Sequence, residues 1–250
     1  MSSIVWRIEH FDVIDSTNNW LADRALEGAP EGLVAVADFQ SAGRGRLDRR
    51  WESPPGASLL CSILLRPDVA PDQLQLVVAS VALAARAALV RLSGVRPALK
   101  WPNDLIVGDA KIAGLLAEIV AVDERLAVVV GFGVNLTHEG PANVVSTSVQ
   151  AESGITITPT ALLDIVLEEL ETRRMLLDSS RGQSTLREEY QRALITLGQL
   201  VRVERTNDVL IGLATSVDEF GQLIVVVDGD EVTVTVGDVV HVRVREGEPS

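Results

Sequence analysis

Hydrophobic and polar positions fall into two textures along this chain. Up to about residue 197, strand-like and helix-like stretches are mixed; after Gly198 only short alternating strands follow. Residues 4–14 read as a strand. Asp15-Ser16-Thr17-Asn18 then leads into a short helix, with Ser16 or Thr17 as its cap and Gly28 as its stop. Leu33 to Phe39 alternates and is rich in β-formers, so it predicts a second strand, and Ser58 to Arg66 predicts a buried one. Pro71 to Leu92 is the clearest helix, with proline near its start and Gly94 beyond its end. Three strand-like pieces follow: Ala98 to Trp101, Lys111 to Val120 and Leu126 to Phe132, with a turn at Gly108-Asp109. His138 to Ser148 is polar and irregular; Thr158 to Asp178 and Gln183 to Leu194 predict helices. Beyond Gly198, turn signals at Asn207-Asp208, Phe220-Gly221 and Asp228-Gly229 punctuate a tight meander, which predicts a small β-barrel. The organisation expected is therefore one domain over 1–197 and a second over 198–250.

Composition narrows the setting. With 47% hydrophobic residues the chain is an ordinary globular one, and its single cysteine, Cys61, permits no internal disulfide. The N-terminus lacks a basic segment followed by an apolar one, so no secretory signal is read there. The longest apolar run, Leu74 to Ala85, is too short to cross a bilayer. A cytoplasmic protein without a membrane partner is expected. The formal net charge of -13 argues against duplex DNA, whose backbone calls for a broad basic face.

Against that charge, Gly43-Arg44-Gly45-Arg46-Leu47-Asp48-Arg49-Arg50-Trp51 places four arginines and two glycines in nine residues. Basic runs are commonly solvated surface. Here the glycines permit close backbone approach, guanidinium forks match carboxylate and phosphate oxygens, and Trp51 offers a flat apolar face. The run reads as a long loop that orders over an anionic ligand. It lacks the third glycine of a dinucleotide fingerprint, and no GxxxxGK[ST] phosphate loop occurs. Lys100-Trp101-Pro102-Asn103-Asp104 reads either as a hairpin turn or as the mouth of a pocket. In Lys111-Ile112-Ala113-Gly114-Leu115-Leu116-Ala117-Glu118, strand alternation puts Lys111 on the face of Ala113 and Leu115, and small neighbours leave room for a ligand. In Gly131-Phe132-Gly133-Val134-Asn135-Leu136, alternate glycines either bare one strand face for a flat ligand or mark a bulge. His10, His138 and His241 show no metal-ligand spacing, and no nucleophile-elbow motif is present.

Taken in order, DSTN, FQSAGRGRLDRRW, KWPNDL, KIAGLLAE and GFGVNL, with the C-terminal β-region, resemble the biotin protein ligases over nearly the whole chain. The resemblance implies an α+β fold: a catalytic domain like the class II aminoacyl-tRNA synthetases, with a mixed sheet and flanking helices, followed by an SH3-like barrel. It implies two steps: ATP and biotin give biotinyl-5′-AMP, and the biotinyl group then passes to a lysine of a biotin carboxyl carrier protein domain of a biotin-dependent carboxylase. By motif match, Ser16, Thr17, Gln40 and backbone at Gly43 and Arg44 would hold the ureido ring, with Gly114 beside biotin. Arg46 and Lys111 would be catalytic at the carboxyl and phosphate. Arg49, Trp51, Lys100, Asn103, Asp104 and Asn135 would serve the nucleotide, and Asp104 would also meet Mg²⁺.

Two departures stand out. Where the family pattern commonly has glycine and often arginine, this chain has Asp48 and Leu47, so the loop is expected to hold the adenylate less firmly and Asp48→Gly to slow its release. The DSTN motif begins only fifteen residues in, so no N-terminal helix-turn-helix domain and no repressor role are expected. A monomer or weak homodimer is the expected state. A lipoate ligase, a non-catalytic biotin or nucleotide binder and a DNA-binding regulator are the competing readings.

Overall fold

The structure, a computed structural model, describes residues 4–47, 49–122, 125–141, 144–204, 208–235 and 237–241. Strand β1 (Arg7–Ile14) leads through Ser16 into helix α1 (Thr17–Leu26), and the Ser16 hydroxyl accepts from the Asn19 amide, as an N-cap does. Strands β2 (Leu33–Gln40) and β3 (Ser58–Leu65) follow; every residue of β3 is buried, in keeping with its unbroken apolar run. A 3₁₀ turn at Pro71–Gln73 opens helix α2 (Leu74–Ser93), which Gly94 ends in the left-handed conformation. Next come β4 (Ala98–Lys100), β5 (Asp104–Val107), β6 (Ala110–Val122) and β7 (Arg125–Asn135), then helices α3 (Val149–Ser153), α4 (Pro159–Leu176) and α5 (Ser180–Ala193). Together these seven strands form one sheet in the order β1-β2-β3-β7-β6-β5-β4, with β1 parallel to β2 and every other pair antiparallel.

Alternation sorts the side chains to two faces. Val128, Val130, Phe132 and Val134 of β7 join the large core under α2 and α4, whereas Ala127 and Val129 face α1 and its smaller core with Leu21, Ala25 and Leu64. Gly131, Gly133 and Asn135 continue the α1 side beyond the end of that helix. The glycine-rich end of β7 is therefore where the sheet is left uncovered.

The C-terminal strands are β8 (Leu200–Glu204), β9 (Val209–Val217), β10 (Leu223–Val227), β11 (Asp230–Val234) and β12 (Asp238–His241). They make an antiparallel sheet in the order β11-β10-β9-β8-β12. Asp228 and Gly229, with φ of 53° and 99°, make the turn between β10 and β11, as the sequence signals. The SH3-like C-terminal region is present, but the closed barrel is not found: β11 and β12 are short strands at opposite edges, and no pairing joins them among the described residues. This sheet docks on Trp101, which is 1% exposed; its indole N–H donates to the Gly221 carbonyl at 3.1 Å and its amide to Thr196 Oγ1 at 3.0 Å. One apolar core runs continuously from α2 into Val201, Val203 and Ala214.

Several expectations change. The segment after Pro102 is a strand, β5, rather than only a turn, and α3 lies just beyond the stretch read as irregular. The helix starting at Pro71 extends to Ser93, long and apolar enough (mean hydropathy 1.8) to cross a bilayer, which the shorter apolar run did not suggest. Its most apolar window is 72% buried within the fold, so its hydrophobicity is satisfied by β-sheet and helix neighbours. The turn expected at Asn207-Asp208 lies partly outside the described residues.

Candidate functional site

The uncovered end of the sheet is a cleft of about 250 Å³. Its walls come from the start of α1, the arginine loop, β6, β7 and the segment around Pro141 to Ser146. Of the residues singled out in the sequence, Ser16, Thr17, Gln40, Arg44, Arg46, Arg49, Trp51, Asn103, Asp104, Lys111, Gly114 and Asn135 all line it. Gly43 lies on the other side of the loop, in a neighbouring depression with His138. Lys100 is not brought to the cleft; it sits close enough to His241 of β12 to help hold that imidazole below its usual pKa, burial being the larger cause.

The arginine loop is a hairpin rather than a structureless span. Gly45 N–H donates to the Arg49 carbonyl at 2.7 Å, Trp51 N–H to the Gly43 carbonyl at 3.0 Å, and Arg44 bridges Arg50. Gly43 is required by close approach, since a Cβ there would lie 2.4 Å from the Trp51 carbonyl oxygen. Leu47 has φ of 54°, a left-handed conformation that disfavours a branched side chain. Asp48, the departure noted in the sequence, lies outside the described residues. Arg44, Arg46, Arg49, Arg50 and Lys111 line the cleft with only Asp104 and Glu52 as carboxylates, so the lining is net positive in a chain whose formal net charge is -13.

Trp51 lies on a bare floor. Gly114 and Gly133 are direct cross-strand partners on β6 and β7, and the indole covers both. A Cβ at Gly133 would be 2.4 Å from Trp51 Cε2, and one at Gly114 would be 3.1 Å from Cζ3. The alternating glycines thus bare a strand face for a flat group and make no bulge, since β7 keeps register with both neighbours. The irregularity lies elsewhere. Pairing of β5 with β6 shifts between Leu105, opposite Ala113, and Ile106, opposite Lys111, which leaves Ile112 as an extra residue. That bulge reverses the alternation for what precedes it. Lys111 therefore shares the face of Gly114, not of Ala113 and Leu115 as regular alternation predicts, and its Nζ lies 2.7 Å from where a Gly114 Cβ would be. The ammonium meets Asp104 Oδ1 at 2.7 Å and stands 5.5 Å from the Trp51 ring centre.

At one end of the cleft, the Thr17 amide donates to Gln40 Oε1 at 2.8 Å, and Thr17 Oγ1 lies 2.6 Å from Ser62 Oγ. At the other, Asn135 is buried and donates from Nδ2 to the Thr147 carbonyl at 3.0 Å, which leaves its amide oxygen as the acceptor. Asn103 is held on β6 by donation to the Leu115 carbonyl and accepts from Arg46 at 3.3 Å. Arg46 also donates to the Gly237 carbonyl at 3.1 Å, so a C-terminal residue touches the loop. Arg44 pairs with Glu118 and donates to Asn19 Oδ1 at 2.7 Å. Ser62, Asn18 and Glu118 were not singled out by the sequence. Asn18 stands inside the DSTN motif, but Ser62 and Glu118 reach it from strands 44 and 100 residues away, so their roles needed the register of the sheet.

No all-protein metal cage is built here: among the described residues no group of three or more His, Cys, Asp or Glu stands together. The carboxylates lining the cleft are Asp104, paired with Lys111, and Glu52. Magnesium commonly takes one or two carboxylates plus substrate phosphates.

Comparison with known proteins places this geometry. The profile of the biotin/lipoate A/B protein ligase family matches residues 10–135, and that of the biotin protein ligase C-terminal domain matches residues 196–242. A biotin–acetyl-CoA-carboxylase ligase of Mycobacterium tuberculosis is 32% identical over 260 residues, covering 95% of this chain and 90% of that protein. One from Paracoccus denitrificans is 33% identical, covering 84% and 90%. Among solved structures, biotin protein ligase from Aquifex aeolicus in complex with biotin and ATP has the same fold, with a TM-score of 0.80 at 24% identity over 95% of this chain and 99% of that one.

Proposed function

The chain belongs to the biotin/lipoate A/B protein ligase family, and from that premise we propose that it activates biotin with ATP and transfers it to a carrier lysine. The observation that carries the reading is convergence: four segments far apart in sequence put a polar pair, a cluster of cations and a flat aromatic floor into one cleft. The C-terminal domain match and the names of the relatives favour biotin over lipoate.

In the first step a carboxylate oxygen of biotin attacks the α-phosphorus of ATP. The new P–O bond gives biotinyl-5′-AMP as the bond to pyrophosphate breaks. No general base is needed, because a carboxylate is ionised at neutral pH. The barrier is electrostatic: two anions meet and charge grows on the phosphoryl oxygens, so fixed cations lower it. Lys111 and Arg46 supply them, with Arg49 beside the nucleotide. Thr17 and Gln40 seat the ureido ring, with Ser16 and the backbone of Gly43 and Arg44; Gly114 leaves room for the acyl chain. Asn103 and Asp104 hold Arg46 and Lys111, and the Asn135 amide oxygen accepts from the adenine amino group. Trp51 packs against the nucleotide and shields the mixed anhydride from water. In the second step a neutral lysine ε-amine of a biotin carboxyl carrier domain attacks the acyl carbon, an amide forms, AMP leaves with the electron pair, and the amine loses a proton. Residues 1–197 act as the catalytic unit in this reading and 198–250 as the C-terminal unit.

The test is exchange of labelled pyrophosphate into ATP, which needs no carrier. Exchange that requires biotin supports the reading; exchange driven by lipoate and not biotin, or none with folded protein, overturns it.

A further inference from the structure

Glu118 lies behind the cleft wall, on β6, and carries no role so far. Its two oxygens accept from different elements: Oε2 from Asn18 Nδ2 at 2.8 Å and Oε1 from Arg44 Nη2 at 2.5 Å. Asn18 Nδ2 also lies 3.3 Å from the Leu116 carbonyl. A carboxylate and a carbonyl only accept, so the amide can point only its nitrogen toward them. Asn18 Oδ1 then faces Ser62 Oγ at 2.6 Å and has no proton, so Ser62 must donate to it. A serine has one hydroxyl proton. At the 2.6 Å contact between Ser62 Oγ and Thr17 Oγ1, the proton must therefore come from Thr17. Gln40 Oε1 accepts from the Thr17 amide at 2.8 Å and also lies 3.1 Å from Thr17 Oγ1, the longer of that hydroxyl's two contacts, so the proton points inward, toward Ser62 and the edge of Gln40. Every proton direction along Thr17, Ser62, Asn18 and Glu118 is thus set by the acceptor-only end. The Thr17 hydroxyl, spent inward, is left with only lone pairs to offer the cleft it lines, and Gln40, whose oxygen is turned to Thr17, is left with its amide N–H₂.

A second observation is independent of proton counting. A Cβ on Gly131 would sit 2.1 Å from Asn18 Oδ1 and 3.2 Å from Ser62 Oγ. The sheet has therefore given up a side chain where this relay crosses it.

We propose that Glu118 is a positioning residue: through Asn18 and Ser62 it fixes the Thr17 hydroxyl as an acceptor facing the cleft, selecting a ligand that presents an N–H donor there, as a cyclic urea does. Its second oxygen ties the same relay to Arg44 of the loop. This rests on the reading of the cleft as a biotin site.

The experiment compares binding of biotin with binding of its analogue methylated on the ureido nitrogens, by calorimetry on the full chain, for the parent protein, Glu118→Gln and Ser62→Ala. Glutamine can offer either an oxygen or an N–H₂ to Asn18, so the relay loses its direction; alanine cuts it while leaving the Arg44–Glu118 pair in place. Both variants are expected to bind biotin on the order of ten-fold more weakly, with the preference for biotin over the methylated analogue shrinking by a similar factor and KM for ATP in pyrophosphate exchange unchanged. An unchanged preference ratio in folded Ser62→Ala protein overturns the proposal, whatever its melting temperature. A parent chain that binds no biotin overturns the functional reading, and this inference with it.

Discussion

Replacing Gly133 with alanine should dislodge Trp51. The added Cβ would lie 2.4, 2.6 and 2.7 Å from Trp51 Cε2, Cζ2 and Nε1, distances that carbon and nitrogen do not tolerate. Relief to ordinary contact needs the ring to lift by about 1 Å. Backbone cannot yield instead, because Gly133 is paired on both sides, to Gly114 and to Leu60. Overpacking of this kind costs about 1–3 kcal/mol, and lifting the ring from Lys111 forfeits up to about 1 kcal/mol of cation–π attraction. The hairpin, held by few backbone bonds, can swing out, which caps the loss near the value of its docking. At about 2–4 °C per kcal/mol for a chain of this size, the melting temperature is expected to fall by about 2–16 °C. Acrylamide quenching of tryptophan fluorescence should rise, and KM for ATP in pyrophosphate exchange should increase. Gly114→Ala should be milder, since its Cβ meets the flexible Lys111 ammonium and lies 3.1 Å from the indole. Equal melting temperature and quenching for Gly133→Ala and the parent would refute the packing described here.

Other residues give separate tests. Lys111→Ala should lower the rate of pyrophosphate exchange by about 10²–10³-fold, as losing a fixed donor to a developing oxyanion does, with some fall in denaturant midpoint as well, because the Lys111–Asp104 pair is only about a quarter exposed and the buried Asp104 Oδ1 loses its cation. Arg174 is 5% exposed and binds Glu31, Asp178 and the Arg66 carbonyl; Arg174→Leu strands those groups and should cost about 3–5 kcal/mol in urea unfolding while leaving KM for biotin unchanged. Burial, and then Lys100, hold His241 below its usual pKa, with Asp109 opposing. Its folded pKa is thus lower than its unfolded one, so unfolded chains bind more protons between the two values. Stability should be full above about pH 6.5 and decline as pH falls below it, and His241→Asn should flatten that slope in melting curves taken across pH.

Local rules carried much of the fold. The Ser16 cap, the left-handed Gly94 and the Asp228-Gly229 turn are each set by a few neighbouring residues, and all stand where the sequence puts them. Strand β5 escaped because it is four residues long and directly follows the turn signals of Pro102 and Asn103. Lys111 lines the cleft from the face opposite to the one regular alternation predicts, since a bulge at Ile112 is a property of pairing with β5 and leaves no trace in the residues themselves. Trp101 read as part of a pocket mouth, yet it is the plug on which the C-terminal sheet docks, through partners 95 and 120 residues away. The SH3-like region stands, but its closure is not found among the described residues: a meander of alternating strands specifies neighbour pairing, whereas closure depends on two edges meeting. The site motifs were legible because each carries its own chemistry, and the relay through Ser62 and Glu118 was not, because neither residue is unusual until the strands bring them to Asn18.

The central claim is catalysis of biotin transfer to protein, and intact mass tests it most directly. An apo biotin carboxyl carrier domain incubated with the chain, biotin and Mg-ATP should gain the mass of one biotinyl group at a single lysine, and the gain should be lost or strongly slowed with Lys111→Ala. A folded chain that leaves a cognate carrier unmodified, or a Lys111→Ala variant that modifies it at the parent rate, would contradict the account.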